Sequence, residues 1–297
     1  GENPLLGNST DIDLVFIHSG TPEVEREILP LTDDIHLDIV HHTQKEYLKG
    51  RELRIHPWMG PSLYNAQVLF DPQHFLDFTI ATVRGMFYRA DHIMMRVRPL
   101  MEAARQGWLE LLDSSENGNY QSIEKYLHCI ANAANALALL VGEPLTERKF
   151  LANFARRAER LDRMGMYAGI LGLLGAPRVE VKEISDWVSL WESTFDSIPI
   201  DERPDHVHTY RRNYYLHGFN AVLESAQPKN VMWPLLNSWI TIIQLIPTEE
   251  PTAMQCQEAF KQLRLFGNDL SEKLAGLEIY LEQAEDVIET WALENGA

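Results

Sequence analysis

Asp11 and Asp13 stand two residues apart at the head of an otherwise apolar run, Gly7-Asn8-Ser9-Thr10-Asp11-Ile12-Asp13-Leu14-Val15-Phe16-Ile17. Successive strand side chains point to opposite faces, so both carboxylates share a face with Val15 and Ile17 beyond them. Side by side, two carboxylates repel unless a positive charge lies between them. The usual one is Mg²⁺, a hard cation held by one or two carboxylates together with substrate phosphates. A third acid, Asp38, sits inside a second β-branched run, Ile35-His36-Leu37-Asp38-Ile39-Val40. Three carboxylates on two adjacent strands are the set that two-metal phosphoryl or nucleotidyl transfer requires. The bland counterpart has Asp11 capping a turn, Asp13 solvated and Asp38 a satisfied interior acid.

The elements that must position these acids fall into two regions. Residues 1–113 carry the strand signals, at 11–18, 35–42 and 66–70, with a helix over Pro22 to Leu29 and a loop at His56-Pro57-Trp58-Met59-Gly60-Pro61. An amphipathic helix runs from Gln73 to about Leu112, broken near Pro99. Ser114-Ser115-Glu116-Asn117-Gly118-Asn119 marks the boundary. Residues 114–297 read as a helical bundle forming the acceptor pocket, a homodimer interface, or both. Its helices are Tyr120 to Val141, stopped by Gly142-Glu143-Pro144, one opened by Thr146, then 183–195, 210–225, 231–246 and 252–293. In the last, Leu263, Phe266, Leu270, Leu274, Leu277, Leu281, Ala284, Ile288 and Trp291 form a stripe that faces the core or a second copy. The fold class is therefore α+β: a small mixed-sheet domain followed by a predominantly helical one.

Ser9-Thr10-Asp11-Ile12-Asp13-Leu14-Val15, with Asp38 25 residues after Asp13, resembles the polymerase β-type nucleotidyltransferase superfamily. The branch it is most similar to contains the aminoglycoside nucleotidyltransferases. Tyr64-Asn65-Ala66-Gln67-Val68-Leu69-Phe70-Asp71-Pro72 resembles a strand of those proteins that ends in Leu-Tyr-Asp-Pro. The resemblance implies Mg²⁺ on Asp11, Asp13 and Asp38, with ATP or another nucleoside triphosphate as donor. Asp38 then completes a second metal site or takes the proton of the acceptor hydroxyl. Ser9 and Thr10 either hydrogen-bond phosphate oxygens or stabilise the turn.

The superfamily places a Gly-Ser or Gly-Gly pair about ten residues before the Asp-x-Asp, and Gly1-Glu2-Asn3-Pro4 resembles the stretch that follows it. The expectation is that this phosphate-binding turn lies upstream of Gly1. Ala138 to Lys149 resembles the helix–Gly–helix corner of the adenylyltransferase bundle, which makes Arg148 and Lys149 candidates to reach the triphosphate; the alternative is two solvated charges in a first helical turn. The implied activity is Mg²⁺-dependent transfer of a nucleoside monophosphate, AMP from ATP, onto a hydroxyl of a small molecule such as an aminoglycoside. A nucleotide-binding regulatory module without turnover, or an antitoxin-like enzyme acting on a protein or RNA, are the alternatives.

Charge bears on the acceptor. With 26 basic residues against 43 acidic ones and a net charge of −17, the chain is a poor binder of nucleic-acid backbone and suits cationic small molecules. Its two cysteines, Cys129 and Cys256, offer no metal spacing, which fits a reducing cytoplasm. The longest apolar stretch, Val231 to Ile246, contains Pro234, Asn237 and Ser238 and falls short of the ~20 residues that cross a bilayer, so no membrane span is expected.

His36 and His42 share Asp38's face by alternation and are candidates to orient or move a proton, or simply to satisfy a neighbouring acid. Arg212-Asn213-Tyr214-Tyr215-Leu216-His217 fits the Arg-x4-His spacing of HEPN ribonucleases, in which Arg and His meet across a helix dimer. That spacing also arises by chance in helices, and the acidic charge opposes RNA.

Overall fold

The computed structural model describes residues 6–114 and 118–297. The Gly1-to-Pro4 stretch and Ser115 to Asn117 of the expected boundary lie outside them. Three strands form one sheet in the order β1-β3-β2: β1 (Thr10–His18), β2 (Arg26–Pro30) and β3 (Ile35–Thr43). The central β3 runs parallel to β1 and antiparallel to β2. Asp13 faces Asp38 across the parallel pair, Asp11 faces His36, and Ile28 of β2 stands on the far side of Asp38. The acids thus share one face of the sheet, while Ile12, Phe16 and Leu29 on the other stay exposed.

Short helices α1 (Gly50–Ile55), α2 (Met59–Asn65) and α3 (Phe75–Arg84) follow and enclose a small core of Tyr47, Leu53, Leu63, Ile80, Val83 and Phe87. Ile17, at the far end of the acid-bearing face, packs against that core. The rest of the described chain is helical: α4 (Ala90–Asp113), α5 (Tyr120–Val141), α6 (Phe150–Arg160), α7 (Met164–Leu173), α8 (Val181–Ser197), α9 (Arg212–Leu223), α10 (Met232–Ile243), α11 (Pro251–Gln262) and α12 (Leu270–Asn295). Their apolar faces close one extended core, with Trp191, Trp239, Phe154 and Phe219 fully buried. The protein is α+β, a small mixed sheet with a large helical part, and α4 shares the bundle's core although the sequence grouped it with the first region.

Several elements differ from expectation for identifiable reasons. Residues 22–29 form no helix; Arg26 to Pro30 make β2, because pairing with β3 outweighs the helix preference of a Glu-rich segment. Residues 66–70 are irregular, with Leu69 and Phe70 largely exposed, since among the described residues no neighbouring strand is there to pair them. The expected loop at 56–61 contains the start of α2.

The long helix breaks at Gly85 to Arg89, where Met86 adopts a positive φ, and not at Pro99. Pro99 lies on the exposed side of α4, so the Met95 carbonyl it leaves without its helical partner also stands on the solvent side. Thr146 does not open α6, which starts at Phe150. The final helix is two: Arg264 takes the left-handed position, and Leu265 N and Arg264 N donate to Phe260 O (2.9 Å) and Lys261 O (2.8 Å), closing α11 in a Schellman motif.

Candidate functional site

Leu6 and Ser9 exchange backbone hydrogen bonds (3.1 and 3.2 Å) around Gly7 and Asn8, both at φ 61°. Two central residues at positive φ make a tight primed turn, which delivers the chain into β1. Gly7 is required twice over: a Cβ there would lie 2.1 Å from the His217 carbonyl oxygen. Arg148 clamps the turn from the bundle. Its Nη1 donates to Ser9 Oγ (2.9 Å) and Tyr214 O (2.9 Å), its Nη2 donates to Ser9 O (3.1 Å), and its guanidinium lies 3.5 Å from the Tyr214 ring centroid.

Ser9 is fully buried, and its hydroxyl donates to Leu6 O (3.0 Å). Thr10 is buried beside it and donates to Asp11 O (3.1 Å). Of the two basic candidates, Arg148 is the one that reaches this turn; Lys149 is the half-buried N-cap of α6. Glu147, next to Arg148, is fixed by His206 Nε2 (3.2 Å), Tyr215 OH (3.1 Å) and Asn237 Nδ2 (3.0 Å). Burial alone would raise its pKa, but His206 and then Asn237 hold it below the ordinary glutamate value.

Beyond the turn, one oxygen each of Asp11, Asp13 and Asp38 lie within 4.8 Å of one another. Asp38 is the buried member. Arg26, next door on β2, donates from Nε and Nη2 to its two oxygens (2.6 Å each), a bidentate pair. Arg211, at the end of a 3₁₀ turn (Thr209–Arg211) that packs on β2, donates to Asp38 Oδ2 from the bundle side. Burial would raise the Asp38 pKa; the Arg26 hydrogen bonds, followed by the charge of Arg211, bring it below the ordinary value. Asp38 is therefore ionised and charge-paired.

Asp13 is the reverse case. Solvent still reaches it, yet it is pushed up to about 6, first by the surrounding protein and then by Asp11 and Asp38, with Arg211 and Arg26 pulling only partly the other way. A carboxylate shifted this way is one that a cation would relieve. Oxygen ligands alone, converging from two strands, are the donor set of Mg²⁺ or another hard divalent ion, so the residues fit such a cation. Asp11 and Asp13 would be its immediate ligands. Asp38 can join once the half-exposed Arg26 turns aside.

His36 is buried against the edge of the Tyr214 ring (centroids 5.4 Å apart), and its Nε2 has no hydrogen-bond partner. Burial, then Arg211, lowers its pKa, keeping the imidazole neutral. His42 points elsewhere, its Nδ1 2.6 Å from Tyr47 OH. Arg212 and His217 are both occupied within the chain. Arg212 donates to Asp196 (2.7 and 2.8 Å) and Glu192 (2.7 Å) on α8, while His217 pairs with Asp34 (3.2 Å) before β3. They fasten α9 to its neighbours.

Three residues of the site escaped the sequence: Arg26, Arg211 and Tyr214. Arg26 was hidden by assigning its strand as a helix; alternation from Ile28 would have put it on the acid face. Arg211 has no local signal, being 173 residues from its partner. Compared with protein-family models, curated proteins and solved structures, the chain matches none.

Proposed function

We propose that the protein is a Mg²⁺-dependent nucleotidyltransferase that moves a nucleoside monophosphate, AMP from ATP, onto a hydroxyl of a small molecule. The observation that carries this is the convergence of Asp11, Asp13 and Asp38 from two parallel strands. Asp11 and Asp13 would hold Mg²⁺, which when bound neutralises triphosphate charge and polarises the reacting phosphorus. The rest of the work is positioning. Arg148 and Gly7 fix the turn that aims Asp11 and Asp13. Arg211 fixes Asp38 from the opposite side, so all three acids are set before any ligand arrives.

Asp38 is a poor proton acceptor at neutral pH because its two arginines favour the ionised form. We assign it to charge organisation within the site and not to general-base catalysis. The net charge of −17 favours a cationic or neutral acceptor over nucleic acid. Pyrophosphate release from Mg²⁺-ATP, compared with an Asp13→Ala variant, tests the proposal.

A second function is favoured by one specific feature. Arg26 occupies both oxygens of Asp38, which suits a module that binds a nucleotide with a single cation and does not turn over. Mg²⁺-dependent ATP binding without pyrophosphate release is its signature.

A further inference from the structure

Away from the acids, α4 carries Arg96 into the interior, where it is 2% exposed. Its Nη1 donates to Arg54 O (2.9 Å) at the end of α1, and its Nη2 to Phe87 O (3.0 Å) in the α3–α4 connection. The guanidinium lies 4.0 Å from the Phe87 ring centroid. All of these are neutral dipoles. Among the described residues no carboxylate pairs with Arg96, and its Nε has no hydrogen-bond partner. A buried charge without a counter-charge is expensive, and its persistence calls for a compensating anion.

Arg96 lines a cavity of about 180 Å³ between α2, the start of α4 and the end of α5. Tyr64 and Phe87 stack there at 4.4 Å, with Tyr88 edge-on to both at 5.1 and 5.2 Å. Tyr88 is 63% exposed and, with Arg160, borders the opening. Glu143 also lines it and is held by Asn65 (2.9 Å), and Arg160 is a second cation on the lining.

We propose that this cavity binds a small planar aromatic carboxylate, with its carboxylate on Arg96 and its ring against Tyr64 and Tyr88. The guanidinium fork matches a carboxylate in shape and charge, and tyrosine faces and edges favour an aromatic ring. Size supports the assignment: drug-sized ligands occupy roughly 300–1,000 Å³, whereas this smaller cavity suits a single substituted ring better than a nucleotide. The proposal stands apart from nucleotidyl transfer.

Calorimetric titration of the full chain with benzoate tests it, beside benzyl alcohol as the neutral ring and cyclohexanecarboxylate as the non-aromatic anion. Benzoate is expected to bind at one site with a Kd of about 1 mM or tighter, and both controls at least about tenfold more weakly. Arg96→Gln should abolish binding. Because that variant also loses two structural hydrogen bonds, Tyr88→Ala, at an exposed position, provides the second arm and should weaken benzoate by about fivefold. Absence of benzoate binding to the unmodified chain would overturn the proposal. So would equal binding of benzyl alcohol, or undiminished binding by folded Tyr88→Ala and Arg96→Gln.

Discussion

Arg211, in the helical part of the chain, closes on Asp38 of the central strand, 173 residues earlier. The contact joins the two parts of the molecule at the acid cluster itself. Both partners are almost completely buried, so the sheet cannot separate from the bundle without exposing a charge on each side.

Removing Arg211 takes the buried partner from Asp38 and leaves it paired with Arg26 alone. Arg211→Ala is expected to destabilise the fold by about 2–3 kcal/mol. Arg26→Ala, which removes a half-exposed partner, should cost about 1 kcal/mol. Urea unfolding followed by circular dichroism measures both. Equal losses would show that Arg211 is not the dominant anchor.

Gly7→Ala places a Cβ against the His217 carbonyl and forces an L-residue into the left-handed region. The conformational penalty alone is about 1–2 kcal/mol, and the collision adds to it. The expected outcome is a loss of more than about 2 kcal/mol together with weakened Mg²⁺ binding. Asn8→Gly, at the neighbouring positive φ, should be neutral or mildly stabilising in the same unfolding experiment.

Asp13 supplies a pH signature. Its folded pKa of about 6 lies above the ordinary 3.8, so between those values the folded protein holds the extra proton. Stability therefore falls as pH rises through this window and stays low above it. Asp13→Asn should be more stable than the unmodified chain at pH 7 by about 1 kcal/mol, less than the full shift implies because solvent screens the group. The gap should close near about pH 4. Saturating Mg²⁺ should raise the melting temperature of the unmodified chain at pH 7 and leave Asp13→Asn unmoved. A less stable Asp13→Asn at pH 7 would contradict the assignment.

Arg212 and His217 are surface fasteners, so His217→Ala should cost no more than about 1 kcal/mol. It should leave Mg²⁺-dependent pyrophosphate release unchanged. Loss of a ribonuclease activity in that variant would reinstate the Arg-x4-His alternative.

β1, β3 and their acids were legible because period-2 alternation through β-branched residues is a local signal. The same logic failed at 66–70, where Val68, Leu69 and Phe70 have the composition of a strand but no partner to pair with. Pro22 to Leu29 misled in the opposite direction, since its glutamates favour a helix and only β3 makes it a strand. The corner singled out Arg148 as a contact for the triphosphate, whereas the contacts it makes with Ser9 depend on a chain separation of 139 residues that no window spans. At α9 the spacing singled out Arg212, while the residue that meets the acid cluster is its neighbour Arg211. Long-range electrostatics decided these cases, and a linear pattern does not encode them.

The most direct test is pyrophosphate release from Mg²⁺-ATP and Mg²⁺-GTP by the full chain, with and without a panel of aminoglycosides, beside Asp13→Ala. The account predicts release that requires Mg²⁺, rises with an acceptor and disappears in the variant. Release that survives in Asp13→Ala, or its absence with every acceptor although Mg²⁺-ATP binds, would contradict it.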